Sequence, residues 1–389
     1  MSLKDKADAL LARAAQAGDV PGVVAMATTG DQLLYEGAFG QRVQGGAAMT
    51  TDTVVWIASM TKAVTSVAAM QMVERGKLSL DTPAHEVVPA IAEAQVLTGF
   101  DAAGKAQTRP PKRPITLRHL LTHTAGFSYE IWNHDIQRWQ AQFGLPGITE
   151  CKNASLKTPL LFDPGERWEY GINIDWAGKM VEAVSGQKLG QVLKANVFDP
   201  LGMASTAFRI TPDMRARLAK IHQRGDDGQL SPLMDLEIPQ EPEFEMGGGG
   251  LYSTAGDYLK FVRMILNDGA GNGERILRPD TVALMARNNG GANRQGVMKT
   301  AIPPLSNDVD VFPGIPKAWG LSWMINTKAA PTGRGAGSLM WAGLANSYYW
   351  IDRANDVAGV YLTQILPFAD VKSYPLFESF ERAVYESLG

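Results

Sequence analysis

The sequence predicts an α/β protein of the α+β kind: an antiparallel sheet flanked by terminal helices, with a mainly helical domain inserted into it. Strand-like patterns gather at both ends of the chain, and helical periodicities fill the middle. The economical assembly joins residues 1–75 and 310–389 in one α/β domain and gives 76–309 to the insertion. A chain of 389 residues has room for both.

Residues 3–17 carry an amphipathic helical pattern broken by charges, unlike the apolar centre of a signal sequence. Residues 20–27 and 32–39 read as strands around the turn Thr29-Gly30-Asp31. The run Val54-Val55-Trp56-Ile57 reads as a strand that turns into an Ala/Val/Met-rich helix after Ser59. Gly, Lys and Pro mark 100–114 as an exposed loop. From 116 to about 287 the pattern is mainly helical. Thr116 caps 117–121, 170–184 and 189–197 follow, Thr254 caps 255–266, and 279–287 closes the set. Residues 288–317 form a long Gly/Asn/Pro-rich loop of the kind that often carries function. Strands are expected at 320–326, 338–343, 347–352 and 357–362, then a helix within 367–388.

Composition narrows the partners. Hydrophobic residues make up 45% and charged residues 20%, and 37 basic against 40 acidic residues give a net charge of −3 with no basic block. Nucleic acid and anionic membrane are therefore not expected partners. No apolar run is long enough to span a membrane. The single cysteine, Cys151, excludes an intramolecular disulfide and a multi-cysteine zinc site, and a cytoplasmic setting fits best. His119 and His123 have the i,i+4 spacing of a metal pair, but Leu120 stands where a metalloprotease has Glu, and no third ligand is near. No metal or cofactor is expected. The composition leaves oligomeric state open.

The chemistry centres on Ser59 and Lys62. Residues three apart share a helix face, so hydroxyl and amine can meet. A helix start also offers unpaired backbone N–H groups to an oxyanion. Ser-x-x-Lys is common by chance, and an N-cap serine with an exposed lysine is the bland alternative. Against it, no charge occurs between Lys62 and Glu74, so Lys62 is expected to point inward. Tyr170, where a helix is expected to open, is a candidate second proton carrier, but by itself it reads more readily as an interfacial tyrosine with a hydrogen-bonded hydroxyl. Gly-x-Ser-x-Gly is absent, and the 247–250 glycine run, with no following Lys-Ser/Thr, reads as a tight turn before Thr254. Gly343, in a late strand after Trp341, permits close approach of a ligand or another backbone. Phe127, Tyr129, Trp132 and Trp139 are candidates for a pocket wall or for ordinary packing.

Six stretches coincide in order with one family pattern. They are 58–62 (Ala-Ser-Met-Thr-Lys), 120–126 (Leu-Leu-Thr-His-Thr-Ala-Gly), 162–165 with Tyr170, 200–203 (Pro-Leu-Gly-Met), 248–255 and 341–343 (Trp-Ala-Gly). The chain resembles the serine β-lactamase-like superfamily, in particular the family VIII carboxylesterases, which are similar to class C β-lactamases and penicillin-binding proteins. The resemblance implies a metal-free site between the two domains and an acyl-enzyme on Ser59. It also implies that Lys62 and Tyr170 manage the proton and that the backbone N–H groups of Ser59 and Leu344 form the oxyanion hole.

Two departures redirect the expected substrate. Ile172 stands where the lactamases carry the Asn of Tyr-x-Asn, with Asn173 one place late. Trp341 replaces the Lys of Lys-Thr-Gly. Losing an amide and a cation favours small apolar esters over carboxylated lactams, with weak lactam hydrolysis still allowed. A β-lactamase or D-amino-acid peptidase on the same fold, and an inactive ligand-binding relative, are the competing readings. Which of Lys62 and Tyr170 is the base in each step stays open at this level.

Overall fold

The computed structural model describes residues 2–388. Its principal elements are α1 (Leu3–Gln16), β1 (Gly22–Thr28), β2 (Leu33–Gly40), α2 (Thr61–Glu74), α3 (Asn173–Ser185) and α4 (Ala255–Leu266). They continue with β3 (Lys317–Trp319), β4 (Met324–Asn326), β5 (Leu339–Gly343), β6 (Ser347–Asp352), β7 (Val357–Leu362) and α5 (Ser373–Tyr385).

The seven strands form one antiparallel sheet in the order β3-β4-β5-β6-β7-β1-β2. The two ends of the chain meet where β1 pairs with β7, with Val24 opposite Leu362. Strand alternation sorts the aromatic residues between faces. Tyr348, Trp350 and Tyr361 pack on Phe377 of α5, while Tyr349 packs on Tyr258 of α4. Full burial of a ring such as Phe377 contributes roughly 2–3 kcal/mol. A Cβ at Gly359 would lie 2.1 Å from the Trp350 ring, so glycine there makes room for the indole. α1, closed by a Ser2–Asp5 capping box, lies against β2, where Tyr35 donates to Asp8.

α2 is buried over nearly its whole circumference, which explains why it reads as apolar all round. α4 starts at the Thr254 cap and returns from the middle of the sequence to cover a sheet face. Among the described residues, no helix is long and apolar enough to cross a membrane.

Several local expectations are corrected. Within 100–114, Ala106–Arg109 pairs with Val96–Phe100 as a hairpin, its turn held by the Asp101 carboxylate accepting from the N–H groups of Ala103 and Lys105. The segment 320–326 is not one strand: β3 and β4 flank a turn there. Ile221–Arg224 and Leu230–Leu233 form a small sheet with Ile365–Leu366, inside a stretch read as helical. The helix expected from 170 begins at Asn173 instead. Tyr170 and Gly171 stay outside it because Gly171 is pressed on the Phe127–Ser128 backbone, where a Cβ would lie 2.5 Å from the Phe127 carbonyl oxygen.

Candidate active site

Ser59 lies in a single 3-10 turn, Ala58–Met60, between the short strand Val55–Trp56 and α2. Three contacts fix this junction. Val55 and Trp56 pair with Ser253 and Tyr252, and the Gln364 amide clasps the Trp56 N–H and carbonyl. Tyr258 of α4 donates to the Met60 carbonyl at 2.8 Å. Ala58 is held at φ +42°, a left-handed conformation that costs a non-glycine residue about 1–2 kcal/mol. Such strain persists only where the surroundings impose it, and it falls on the residue before the serine.

Lys62 points inward, as its apolar helix implies, and is 1% exposed. Its Nζ lies 3.0 Å from Ser59 Oγ and donates to the Gly248 carbonyl at 2.6 Å. The amine also sits over the rings of Tyr170 and Tyr129, 4.7 and 5.1 Å from their centroids. Burial pushes its pKa down to about 7, against the opposing pull of the Asp175 carboxylate. An amine so placed is available as a base near neutrality.

Asp175 is the residue that sequence reading passed over. It is buried in the first turns of α3, and one oxygen accepts from the Gly248 N–H at 2.8 Å while the other has no partner. Burial raises its pKa to about 6, opposed by Lys62 and the Gly248 N–H. The 247–250 run is more than a turn, because Gly248 joins Lys62 to Asp175 through its two backbone polar groups. A Cβ there would fall 2.6 Å from Asp175 Oδ2 and 3.0 Å from the Tyr129 hydroxyl. The signal that could have found Asp175 is a lone carboxylate five residues after Tyr170, in the apolar context Ile174-Asp175-Trp176-Ala177.

Tyr170 accepts a 2.8 Å hydrogen bond from Trp341 Nε1. Burial raises its pKa above the ordinary phenol value, while the Ser59 hydroxyl and the Trp341 N–H pull the other way. It is therefore a neutral phenol near pH 7. Its ring is set among His123, Trp341, Tyr129 and Trp132, with centroids 4.9–5.3 Å apart. His123 is buried, and its Nδ1 lies 2.9 Å from the Asn173 amide nitrogen. Asn173 is thereby turned into the protein. Burial, then Lys62, lowers the His123 pKa, so this imidazole is neutral. His119 closes the cap at Thr116, its Nδ1 accepting from the Thr116 N–H.

β5 lies inside the sheet, between β4 and β6. β4 shields it, but only to Met340, so Trp341–Gly343 has no β4 partner. Gly343 is pressed on the Ile57–Ala58 backbone, where a Cβ would lie 2.4 Å from the Ile57 carbonyl oxygen. The pocket at Ser59 is apolar, its walls including Trp56, Ile131, Trp132, Ile148, Met246 and Leu344, with Tyr129 beside them. Phe127 and Ile172 do not line it. Phe127 stacks on Trp176, 6.1 Å between centroids, and Ile172 is buried at the start of α3. Trp139 lies elsewhere, against Phe143. Trp132 donates to Ser306 at 3.0 Å, which ties the 288–317 loop to the site.

The Beta-lactamase family model matches residues 7–376. A lovastatin esterase of Penicillium rubens is 32% identical over 395 residues, covering 97% of each chain. A monacolin J acid methylbutanoyltransferase of Aspergillus terreus is 32% identical, over 96% of this chain and 93% of its own. The unliganded structure of simvastatin synthase (LovD) from Aspergillus terreus superimposes with a TM-score of 0.84 at 30% identity, covering 97% of each chain. With the family model spanning nearly the whole chain, and the seven-stranded antiparallel sheet with its terminal helices matched in a solved structure, the protein belongs to the Beta-lactamase family.

Proposed function

We propose that the protein is a serine carboxylesterase that hydrolyses small apolar esters through an acyl-enzyme on Ser59. The observation that carries this reading is the 3.0 Å approach of a fully buried Lys62 amine to Ser59 Oγ. Lys62 takes the hydroxyl proton as Ser59 attacks the ester carbonyl. The N–H groups of Ser59 and Leu344 hold the oxyanion; support comes from Leu344 lining the Ser59 pocket and from the contact of Gly343 with the Ile57–Ala58 backbone. Tyr170 gives its proton to the leaving alcohol, and the resulting phenolate is stabilised by the Trp341 N–H and the new Lys62 ammonium. In deacylation the phenolate takes a proton from water, the hydroxide attacks the acyl carbon, and Lys62 returns its proton to Ser59 Oγ. Every proton borrowed is restored.

Two observations favour esters over lactams. The pocket wall is apolar, and Asn173 is engaged with His123. The similarity to a methylbutanoyltransferase supports a second outcome, in which an alcohol replaces water as acyl acceptor. The test is intact-mass analysis after a fluorophosphonate, with Ser59→Ala as control. A single adduct on the native protein and none on the variant is expected; labelling that survives the substitution removes Ser59 from its role. Turnover of nitrocefin much faster than p-nitrophenyl butyrate would overturn the ester assignment. Added alcohols trapping the acyl group at the expense of hydrolysis would favour transfer.

A further inference from the structure

We infer, on the mechanism proposed above, that His123 is the positioning residue that holds the Tyr170 phenol in place to protonate the leaving alcohol. His123 itself takes no part in the proton transfers.

The stretch carrying Tyr170 lies outside helical structure, so contacts rather than a helical ladder set its place. His123 supplies such contacts on both sides of the tyrosine. Its backbone carbonyl accepts from the Glu169 N–H at 2.8 Å, one residue before Tyr170. Its Nδ1 bonds the Asn173 amide nitrogen at 2.9 Å, three residues after, where α3 begins. Between these two anchors the imidazole lies against the Tyr170 ring, with centroids 4.9 Å apart. The seating of Gly171 on the 127–128 backbone fixes the path of the chain. The His123 ring fixes where the phenol can lie.

The same ring closes a circuit of four side chains. His123 to Tyr170, Tyr170 to Trp341, Trp341 to Trp319 and Trp319 to His123 are separated by 4.9, 4.9, 4.8 and 5.3 Å. Trp341 donates to the phenol oxygen, so a displaced His123 disturbs Tyr170 directly and again through the indole.

Filling space does not account for a histidine here. The Asn173 amide nitrogen has no lone pair to offer, so Nδ1 accepts and the imidazole proton sits on Nε2. Nε2 is buried and has no partner among the described residues. A phenylalanine would fill similar volume without leaving a polar atom unpaired. His123 also holds φ +54°, a left-handed conformation that histidine tolerates better than most side chains. Strain of that kind persists only where the surroundings impose it. What the imidazole adds is the Nδ1 acceptor, and with it the tie to Asn173.

The test compares kcat/KM for ethyl butyrate and p-nitrophenyl butyrate in the native chain, in His123→Phe and in Asn173→Leu. Each substitution is then repeated in a Tyr170→Phe background. p-Nitrophenolate leaves as an anion, whereas ethoxide needs the proton that Tyr170 supplies. Both single variants should lower the ethyl-to-p-nitrophenyl ratio by about tenfold, a fraction of the roughly 10²–10⁴ that a positioned proton donor contributes. Tyr170→Phe lowers the ratio by itself, and adding either variant to it should lower the ratio no further. Circular dichroism checks folding. Asn173→Leu leaves the strained residue in place, so it tests the tie even where His123→Phe does not fold. The assignment is overturned if the ratio holds in the folded variants while Tyr170→Phe lowers it. It is equally overturned if the two esters fall in step, as a general loss of structure would make them, or if the variants lower the ratio again without the phenol. A ratio unmoved by Tyr170→Phe itself would overturn the proposed proton donor, and the role of His123 with it.

Discussion

Arg334 and Glu381 are fully buried and meet through two 2.6 Å hydrogen bonds, with Thr332 donating a third to the same carboxylate. Lys62 and Asp175 are as deeply buried but form no direct ion pair, and Gly248 stands between them. The first pair spends its electrostatic attraction on holding both charges, leaving only one guanidinium nitrogen without a partner. The second leaves an Asp175 oxygen unpartnered and the Lys62 amine close to losing its proton. A buried pair in direct contact stays charged and fastens α5 to the segment before β5. A buried pair held apart by a peptide is poised to exchange protons.

The comparison can be broken from either side. Lys62→Met should lower kcat/KM for a p-nitrophenyl ester by roughly 10³-fold, within the range of a lost general base. Its Tm should stay near that of the native protein, because removing a desolvated ammonium offsets the Gly248 carbonyl left without its donor. A cooperative loss of fold on this substitution would place Lys62 in the scaffold instead. Arg334→Met should do the reverse, costing about 3–5 kcal/mol in denaturant unfolding by stranding the Glu381 carboxylate. The folded fraction should keep its kcat, and a selective fall in kcat would contradict this division of labour.

Asp175→Asn sharpens the comparison with a smaller effect. In the proposed mechanism Lys62 is a base only when neutral, so kcat/KM of the native protein should rise with pH through about 7. The Asp175 carboxylate favours the ammonium form; removing its charge lowers the Lys62 pKa and moves the rising limb to lower pH. A pH–rate profile reads the shift, and an unmoved limb would show that Asp175 does not act on Lys62. Trp341→Phe is expected to give the smallest change, roughly tenfold in kcat, because it removes one hydrogen bond to the Tyr170 hydroxyl while keeping an aromatic ring. A change confined to KM would instead assign Trp341 to substrate binding.

Much of the site was legible because its members are close in sequence or lie in ordered motifs. Ser59 and Lys62 are one helical turn apart, and an uncharged helix after Lys62 already implied burial. Tyr170 is marked by its motif, but the helical pattern begins three residues before the helix itself, since nothing local announces the pressure of the 127–128 backbone on Gly171. Phe127 and Trp132 looked alike in sequence; only packing sends one to Trp176 and the other to the pocket. The small sheet of 221–224, 230–233 and 365–366 escaped notice because its third strand lies more than 130 residues away from the others.

The sequence by itself determined the fold class, the antiparallel sheet made from both ends of the chain, and the inward lysine one turn after a serine. Those follow from periodicity and short spacings, which a chain carries locally. Tertiary structure alone decided that Asp175 and Gly248 stand behind Lys62, that Asn173 turns to His123, and that Trp341 serves Tyr170. The proton affinity of Lys62 is set by desolvation and by groups 113 and 186 residues away in the chain (175 − 62 and 248 − 62). Burial and distance in space fix that quantity, and neither is written in the local pattern around Ser59.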